Sequence, residues 1–502
     1  MARYKHTDIE EGQSIFLTVN LKEQLMPGTF EYMLNDLIGK KIDISMFDDN
    51  YKNDKTGAKA IPPAVLVKLI IYGYSKGLKS SRKLMALNSE NIIAKALTGD
   101  MNIHWTTIAD FIASNGEKFQ EVFMKVLTYC TELGLIGGQT FAIDGCRLPA
   151  NVAIDKSGTK AELEKKVEVY RRMAEKHISK HMKQDRQAEM SKEEKQRYDK
   201  RQRHLNRQIE KISGFLKNME EKKGINTEEL KSNVTDNESV MLRNQSGWIQ
   251  GYIGIAVSDK QNQIIVSAET VGSAHEGMHF PELLDKTLSN IHGADIKMPG
   301  EKMPVFMGDA NYFSEDNLRV CKEKEVEAII PDGKHKKRLA EGEKRIYETF
   351  DFEYHEEANY YECPNGKRLE YKRNQILAGE EGKTYRASVT DCRECPLNWR
   401  CIKSKKGISK WGRSLMIKKS NAPGCLSTEM KKKLSTDEYQ NKYAYRMQII
   451  EPVFANITYC KGLDRFTLRG KNKVNGQWKL YCIVHNLGKC LGKYNDKKKN
   501  AA

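Results

Sequence analysis

Apolar residues recur at helical spacing through much of residues 1 to about 135, which read as a helical segment. The clearest stretch is Pro62 to Gly77, PPAVLVKLIIYGYSKG. Prolines suit its start, glycine its end, and Val65, Leu66, Leu69, Ile70 and Tyr72 its buried side. A second helix is expected from about Ser80 to Leu97, and a third near Thr106 or Thr107 after an HWTT turn. Such short helices permit a helix-turn-helix-like DNA-binding domain, and helical packing without DNA contact fits the same pattern.

The period then changes. GQTFAID at 138–144 is an apolar run of strand length ending in Asp144. WIQGYIGIAV at 248–257 and QIIVSAET at 263–270, separated by a polar turn, pair as a hairpin. A helix from about Met278 to Ile291 leads to a strand, Met303 to Met307, that runs into Asp309; a helix opening at Ser314 leads to a strand, Val326 to Ile330.

Two insertions interrupt this order. Residues 160–222 are charged and helical, with Leu163, Val167, Tyr170, Ala174 and Ile178 on one seam and Leu205, Ile209, Ile212, Leu216 and Met219 on another. Ser191 and Glu194 fit a capping box, so an antiparallel helical hairpin is expected, its charge a solvated face or an arm along DNA or another subunit. The second insertion, 333–436, holds KHKKR at 334–338 and the cysteines Cys363, Cys392, Cys395 and Cys401. Their spacing, with Pro- and Gly-rich turns beside the thiols, suits a structural Zn²⁺ site, with unligated thiols the alternative. With the insertions removed, the order is strand, strand, strand, helix, strand, helix, strand, helix. It predicts an α/β fold with a ribonuclease-H-like core.

The closing helix of that core is YAYRMQIIEPVFANITYCK at 443–461, which sets Glu451 among Met447, Ile449, Ile450, Val453, Phe454 and Ile457. A desolvated carboxylate needs a cation, and a metal ion can supply it. Asp144 and Asp309, each at a strand end on neighbouring strands, complete a set of three carboxylates able to bind one or two Mg²⁺ or Mn²⁺ ions for phosphoryl transfer. Taken singly, each aspartate is more simply a turn or helix cap.

Composition sharpens the partner. The 502 residues carry 84 Lys and Arg against 67 Asp and Glu, a net charge of +17 suited to a polyanion, nucleic acid first. No stretch reaches membrane-span length and MARYKHTDIEEGQ lacks a signal-peptide core, so a soluble, intracellular protein is expected. Eleven cysteines without a secretory signal read as thiols or ligands, not as a disulfide framework. KHKKR, RSLMIKK at 413–419 and RGKNK at 469–473 are candidate phosphate contacts. Trp105, Trp248, Trp399, Trp411 and Trp478 read as packing residues. Residues 495–502, NDKKKNAA, are expected to be disordered.

IDGCRLPAN at 143–151, VTDNESVM, IQGYIGIAVSD, GDANYFSEDNL at 308–318, CRECP, YAYRMQIIEPVFANI at 443–457 and the RGKNKVNGQWKL…HNLGK ending together resemble bacterial insertion-sequence DDE transposases of the insertion sequence 1182 group. The resemblance covers nearly the whole chain. It implies Asp144, Asp309 and Glu451 as catalytic acids and Mg²⁺ ligands, with Tyr443 and Arg446 as DNA contacts beside Lys461, Lys334, Lys336, Lys337 and Arg338. It further implies double-stranded DNA as the partner, held by a homodimer. The implied division is a helical DNA-binding or dimerisation domain (1–135), a core (136–158, 232–332 and 437–462), the two insertions (159–231 and 333–436) and a basic end (463–502). Two positions depart from the superfamily pattern. Thr458 stands where a lysine is usual, with Lys461 three residues on, and the Arg446–Glu451 interval is one residue longer. At that interval the two side chains lie roughly 140° apart on an ideal helix.

Overall fold

A computed structural model describes residues 18–51, 59–185, 191–224, 227–244, 247–297, 303–377, 380–401, 411–418 and 422–500. The N-terminal stretch tested for a signal peptide, Lys419 of the basic 413–419 segment and the two final alanines lie outside them. The chain divides into two compact units, Met1–Phe111 with Leu491–Ala502, and Ile112–Cys490.

The first unit is helical. Pro63–Ser75 starts on proline as expected and buries Leu66, Val67 and Leu69 to Tyr74, so it is covered on nearly every side. The single helix expected over 80–97 is two, Ser81–Glu90 and Ile92–Thr98, because Asn91 is extended and its side chain accepts the Ala94 N–H, capping a new start. The terminal helix, Lys471–Asn500, is ordered through the NDKKKN segment expected to be disordered. Within this unit Tyr494 donates to Asp36 at 2.8 Å and Lys498 stands 3.3 Å from the same carboxylate. These contacts give the basic end a fixed partner.

The second unit is built on a mixed sheet: β1 (Thr140–Pro149), β2 (Val240–Asn244), β3 (Gly247–Asp259), β4 (Ile265–Val271), β5 (Val305–Met307) and β6 (Glu327–Ile329). β3 is antiparallel to β1 along one edge and to β2 and then β4 along the other. β5 lies parallel to β1, and β6 parallel to β5. The order across the sheet is therefore β4–β3–β1–β5–β6, with β2 an added strand beside the start of β3. β1 runs five residues beyond the expected end, so Asp144 lies within the strand. Its pairing with β3 continues to Pro149, while β5 stops opposite Ala142.

Helices cover the sheet. Asp437–Ala455 packs against β1 and β3. The terminal helix packs its buried Trp478 flat on β3, where a Cβ on Gly254 would come 3.1 Å from the indole; the Trp478 Nε1–H donates to the Ile255 carbonyl at 2.9 Å. The same helix seals the open edge of β4. Asn486 bonds both backbone groups of Ile265 at 2.9 Å, and Asn475 accepts the Thr270 N–H at 2.9 Å. Eleven helical residues and five strand residues both span roughly 17 Å, so the two amides fall in register with the strand they satisfy.

The helical hairpin is present as Lys160–Asp185 and Lys192–Asn218, with the Ser191–Glu194 capping box formed. Leu163, Val167 and Ile212 form its core, joined by Tyr170, Ile209, Leu216 and Met219. The 333–436 region contains a five-stranded antiparallel sheet not anticipated from the sequence: β7 (Glu353–His355), β8 (Tyr360–Glu362), β9 (Arg368–Leu377), β10 (Glu380–Ala387) and β11 (Ser414–Lys418). Of the five tryptophans, Trp478 is core, but Trp248, Trp399 and Trp411 are 62 %, 54 % and 59 % exposed, against the packing role expected of them.

Candidate active site

Ala142 on β1 is the register partner of Met307 on β5, and Asp144 and Asp309 each follow two residues later. Neighbouring parallel strands thus carry the two aspartates level with one another, where β5 has ended and the edge of β1 is open. Ligands of α/β sheets gather at such carboxyl ends. Asp309 opens a short turn and its Oδ1 accepts the Asn311 N–H at 2.9 Å. Asp144 Oδ1 accepts the Gly145 N–H at 2.8 Å, and burial holds the Asp144 carboxyl above the usual range despite the opposing pull of Arg446.

Arg446 closes the site from above. It is 7 % exposed, and its Nη2 lies 2.7 Å from Asp144 Oδ2. Its Nε has no hydrogen-bond acceptor among the described residues. Tyr443, one turn earlier, is pushed up chiefly by burial and has Arg446, Asp309 and Asp144 as its charged neighbours. The ring of Tyr443 stands edge-on to His335, 5.8 Å between centroids, which brings the start of the KHKKR helix, His335–Glu341, to the rim. Lys334 and Lys336 are exposed there; Lys337 stands 3.7 Å from Glu341. Arg338 is instead held by Asp332 and Glu348 and is only 10 % exposed, so its charge is already matched.

Glu451 is not brought to the aspartate pair. The buried positions of its helix are Arg446, Ile449, Ile450 and Val453, continued by Ile457 in the π-helical turn Asn456–Cys460. That series defines one face, and Glu451 falls roughly 140° from Arg446, on the exposed side with Met447. The expectation of a carboxylate sunk in an apolar surface is therefore corrected, because Arg446 and not Glu451 lies on the buried stripe. Lys461 stands after the π turn, a charged neighbour of buried His485.

A different carboxylate faces the pair. Glu276, 4 % exposed, lies in the turn Glu276–His279 between β4 and the helix Phe280–Gly293. Asn311 Nδ2 donates both to Glu276 Oε1 at 2.9 Å and to Asp309 Oδ2 at 3.0 Å, and the Tyr312 hydroxyl donates to Glu276 Oε2 at 3.3 Å. Burial first, then Asp309 and Asp144, push the Glu276 carboxyl up to about 7. The sequence held a weak signal for it. Glycine inside a strand marks a close approach, and a Cβ on Gly145 would lie 1.9 Å from Glu276 Oε2.

Among the described residues no three His, Cys, Asp or Glu side chains stand at the spacing of a formed metal site. This holds for the acids and also for the cysteines, which nevertheless converge. Cys363, Cys392, Cys395 and Cys401 line one small cavity of about 20 Å³ with Lys367, Asp391, Asn398 and Arg413. Lys367 N–H donates to Cys363 Sγ at 3.4 Å, and Arg413 N–H donates to Cys392 Sγ at 3.3 Å. Burial, with the neighbouring thiols adding to it, raises the Cys401 thiol to about 11. Among the described residues no disulfide is formed.

Residues 362–491 match the family model described as transposase DDE domain, and residues 19–114 match the one described as transposase domain (DUF772). Both models describe transposase domains. Their combination agrees with the insertion-sequence DDE transposase, of the 1182 group, that the sequence resembles. The DDE match includes Tyr443, Arg446, Glu451 and the four cysteines, and begins after both aspartates. A transposase family implies DNA as the partner and a divalent metal ion in the chemistry. No curated protein matches the chain. Among the described residues, no helix is long and apolar enough to cross a membrane.

Proposed function

We propose that the chain is a DNA transposase whose phosphoryl-transfer centre is built on Asp144 and Asp309. The observation that carries this reading is their level placement on adjacent parallel strands, beside a buried arginine with an unused donor. The strand order β4–β3–β1–β5–β6, antiparallel then parallel, supports a ribonuclease-H-like core formed by 136–158, 232–332 and 437–462. On this reading 159–231 and 333–436 are insertions, 1–135 is the DNA-binding or dimerisation domain, and 463–502 is a basic terminal segment.

The residues suit Mg²⁺ or Mn²⁺. Their donors are hard carboxylate oxygens, and the bare Cα of Gly145 leaves room for them beside β1. When bound, two such ions would supply Lewis-acid activation of water or a DNA 3′-hydroxyl and of the departing oxygen. Asp144 and Asp309 hold that charge. The free Nε–H of Arg446 hydrogen-bonds a phosphate oxygen, with Tyr443 beside it, and Lys334, Lys336 and Lys337 meet the backbone further out. Trp248 stands with Lys156, Arg465 and Arg469 around a groove reached along β1 from Asp144, and gives the strand a second contact. The cysteine cavity is proposed to hold structural Zn²⁺.

Glu451 is the third acid by resemblance. To reach the pair it must turn to the inner face, now held by Ile450. The π turn Asn456–Cys460 stores one extra residue; its passage to the N-terminal side of Glu451 would rotate that carboxylate by about 100°. Pro452 already leaves the Gln448 carbonyl without a helical donor, and Gln263 Nε2 donates to it instead at 2.9 Å.

The outward Glu451 also favours a second reading, a sequence-specific DNA-binding protein that does not cut. Incubation with Mg²⁺ and DNA bearing the short inverted repeats that flank the coding region separates the two. A transposase cleaves at the repeat ends and joins a precut 3′-hydroxyl to target DNA, in a complex containing two copies of the chain. Asp144→Asn, Asp309→Asn and Glu451→Gln each abolish product with DNA binding intact. Normal cleavage by either aspartate variant overturns the assignment; retarded DNA without product from the wild type establishes the silent binder. Cleavage without strand transfer marks a hydrolytic nuclease.

A further inference from the structure

We infer that Glu276 is a metal ligand of the Asp144–Asp309 centre, the third carboxylate of the site before DNA arrives. The inference rests on the proposed assignment of the two aspartates as metal ligands.

A glutamate this buried is normally neutralised by a lysine or arginine, because an unpaired buried carboxylate is costly. Among the described residues no lysine or arginine pairs with Glu276. Its donors are the neutral Asn311 amide and Tyr312 hydroxyl, and the charges acting on it are those of Asp309 and Asp144. Arg446, the cation beside the aspartates, is spent on Asp144. The arrangement gathers negative charge and leaves it uncompensated, which is the electrostatic requirement of a divalent-cation site.

The backbone is shaped to allow the gathering. Gly145, the residue after Asp144, has no side chain where Glu276 Oε2 lies, and a Cβ there would also meet Ile253 at 2.6 Å. Gly277, the residue after Glu276, fits against the Asn311 carbonyl, which its own Cβ would approach to 2.1 Å. Two glycines beside two acids thus let the Glu276 turn, β1 and the Asp309 turn close on one point. Asn311 joins the last of these by donating to both carboxylates, Glu276 Oε1 and Asp309 Oδ2, and so ties the two acids to one another.

The test is Mn²⁺ binding to the full-length, DNA-free chain, followed by electron paramagnetic resonance and by thermal unfolding with and without Mn²⁺. Wild type, Glu276→Gln and Asp309→Asn are compared. Glu276→Gln keeps the shape and the Asn311 and Tyr312 neighbours while removing the charge. It is expected to weaken Mn²⁺ binding by about tenfold or more, as Asp309→Asn does, and to unfold at a higher temperature than wild type in EDTA, because repulsion with the aspartates is relieved. A structural glutamate would instead lose stability on substitution and leave the ion in place. Wild-type Mn²⁺ binding in Glu276→Gln, together with its loss in Asp309→Asn, overturns the inference and leaves the aspartate centre standing. Unchanged binding in Asp309→Asn, or none in wild type, overturns the centre itself. Should Glu276→Gln fail to fold, Glu276→Asp, shorter by one methylene, takes its place; unaltered Mn²⁺ affinity there counts against the inference.

Discussion

Arg446 Nη2 lies 2.7 Å from Asp144 Oδ2, joining a helix near the end of the chain to the first strand of its sheet. It is a positive group set against Asp144 and Asp309, and it is almost fully buried. Removing one partner of a buried pair exposes the full desolvation cost of the other, roughly 3–5 kcal/mol. Arg446→Ala should therefore destabilise the apo protein by about that amount in urea at pH 7. Mn²⁺ should then restore more stability to the variant than it adds to wild type, because an ion can neutralise what the arginine did. Equal Mn²⁺ effects in the two proteins would refute the shared electrostatic role.

Trp248 is 62 % exposed beside Arg465, Arg469 and Lys156. Lys211 is nearby, its pKa lowered by burial and by Lys156, Arg469 and Arg207. Like charges gathered around an open indole suit a nucleic-acid strand, with stacking worth roughly 1–3 kcal/mol. Trp248→Ala should weaken DNA binding with little change in its salt dependence, whereas Arg469→Ala should reduce the slope of log K against log salt by about one phosphate contact. Titrations at several salt concentrations decide it; the idea fails where both variants bind as wild type.

The four cysteines give a prediction that needs no DNA. Protein purified without chelator should contain one equivalent of zinc, and Cys392→Ser or Cys395→Ser should lose it and loosen β7–β11, whose core includes Leu369, Tyr385 and Cys401. Elemental analysis beside circular dichroism reads both effects. Metal-free wild type with the same unfolding profile as the metal-loaded form would leave the thiols as ordinary packing.

What the sequence revealed follows from how local each signal is. The Ser191–Glu194 capping box, the β3–β4 hairpin and the Pro63 helix start depend on residues a few positions apart, and all three are in the structure. Glu276 was barely legible: Gly145 inside a strand hints at a close approach, but what approaches it lies more than a hundred residues away. Glu451 was misjudged for a subtler reason. Counting apolar neighbours treats Met447 and Ile450 alike, but the first is 57 % exposed and the second fully buried, and only helix phase tells them apart. The β7–β11 sheet escaped notice because β9, RLEYKRNQIL, buries little besides Leu369, so its period-two signal is faint.

His485 sets the last prediction. It is 3 % exposed, its Nε2–H donates to the Gln263 carbonyl at 2.9 Å, and burial, opposed by that bond and helped by Lys489 and Lys461, lowers its pKa to about 4. In the unfolded chain it gains a proton near 6.5, so between those values the unfolded state binds more protons and stability falls as pH falls. The contribution is complete above pH 6.5 and amounts to roughly 3 kcal/mol. Glu276 acts in the opposite sense. Raised from 4.5 to about 7, it favours the folded state below 4.5, and that advantage is lost as pH rises through 7. The two slopes oppose each other across nearly the same window, so the wild-type curve should be shallow there. In EDTA, His485→Asn should be more stable at pH 5 than at pH 7.5, and Glu276→Gln more stable at pH 7.5 than at pH 5. Urea unfolding at both pH values tests the pair, and slopes of the same sign in the two variants would refute the assignment of either group.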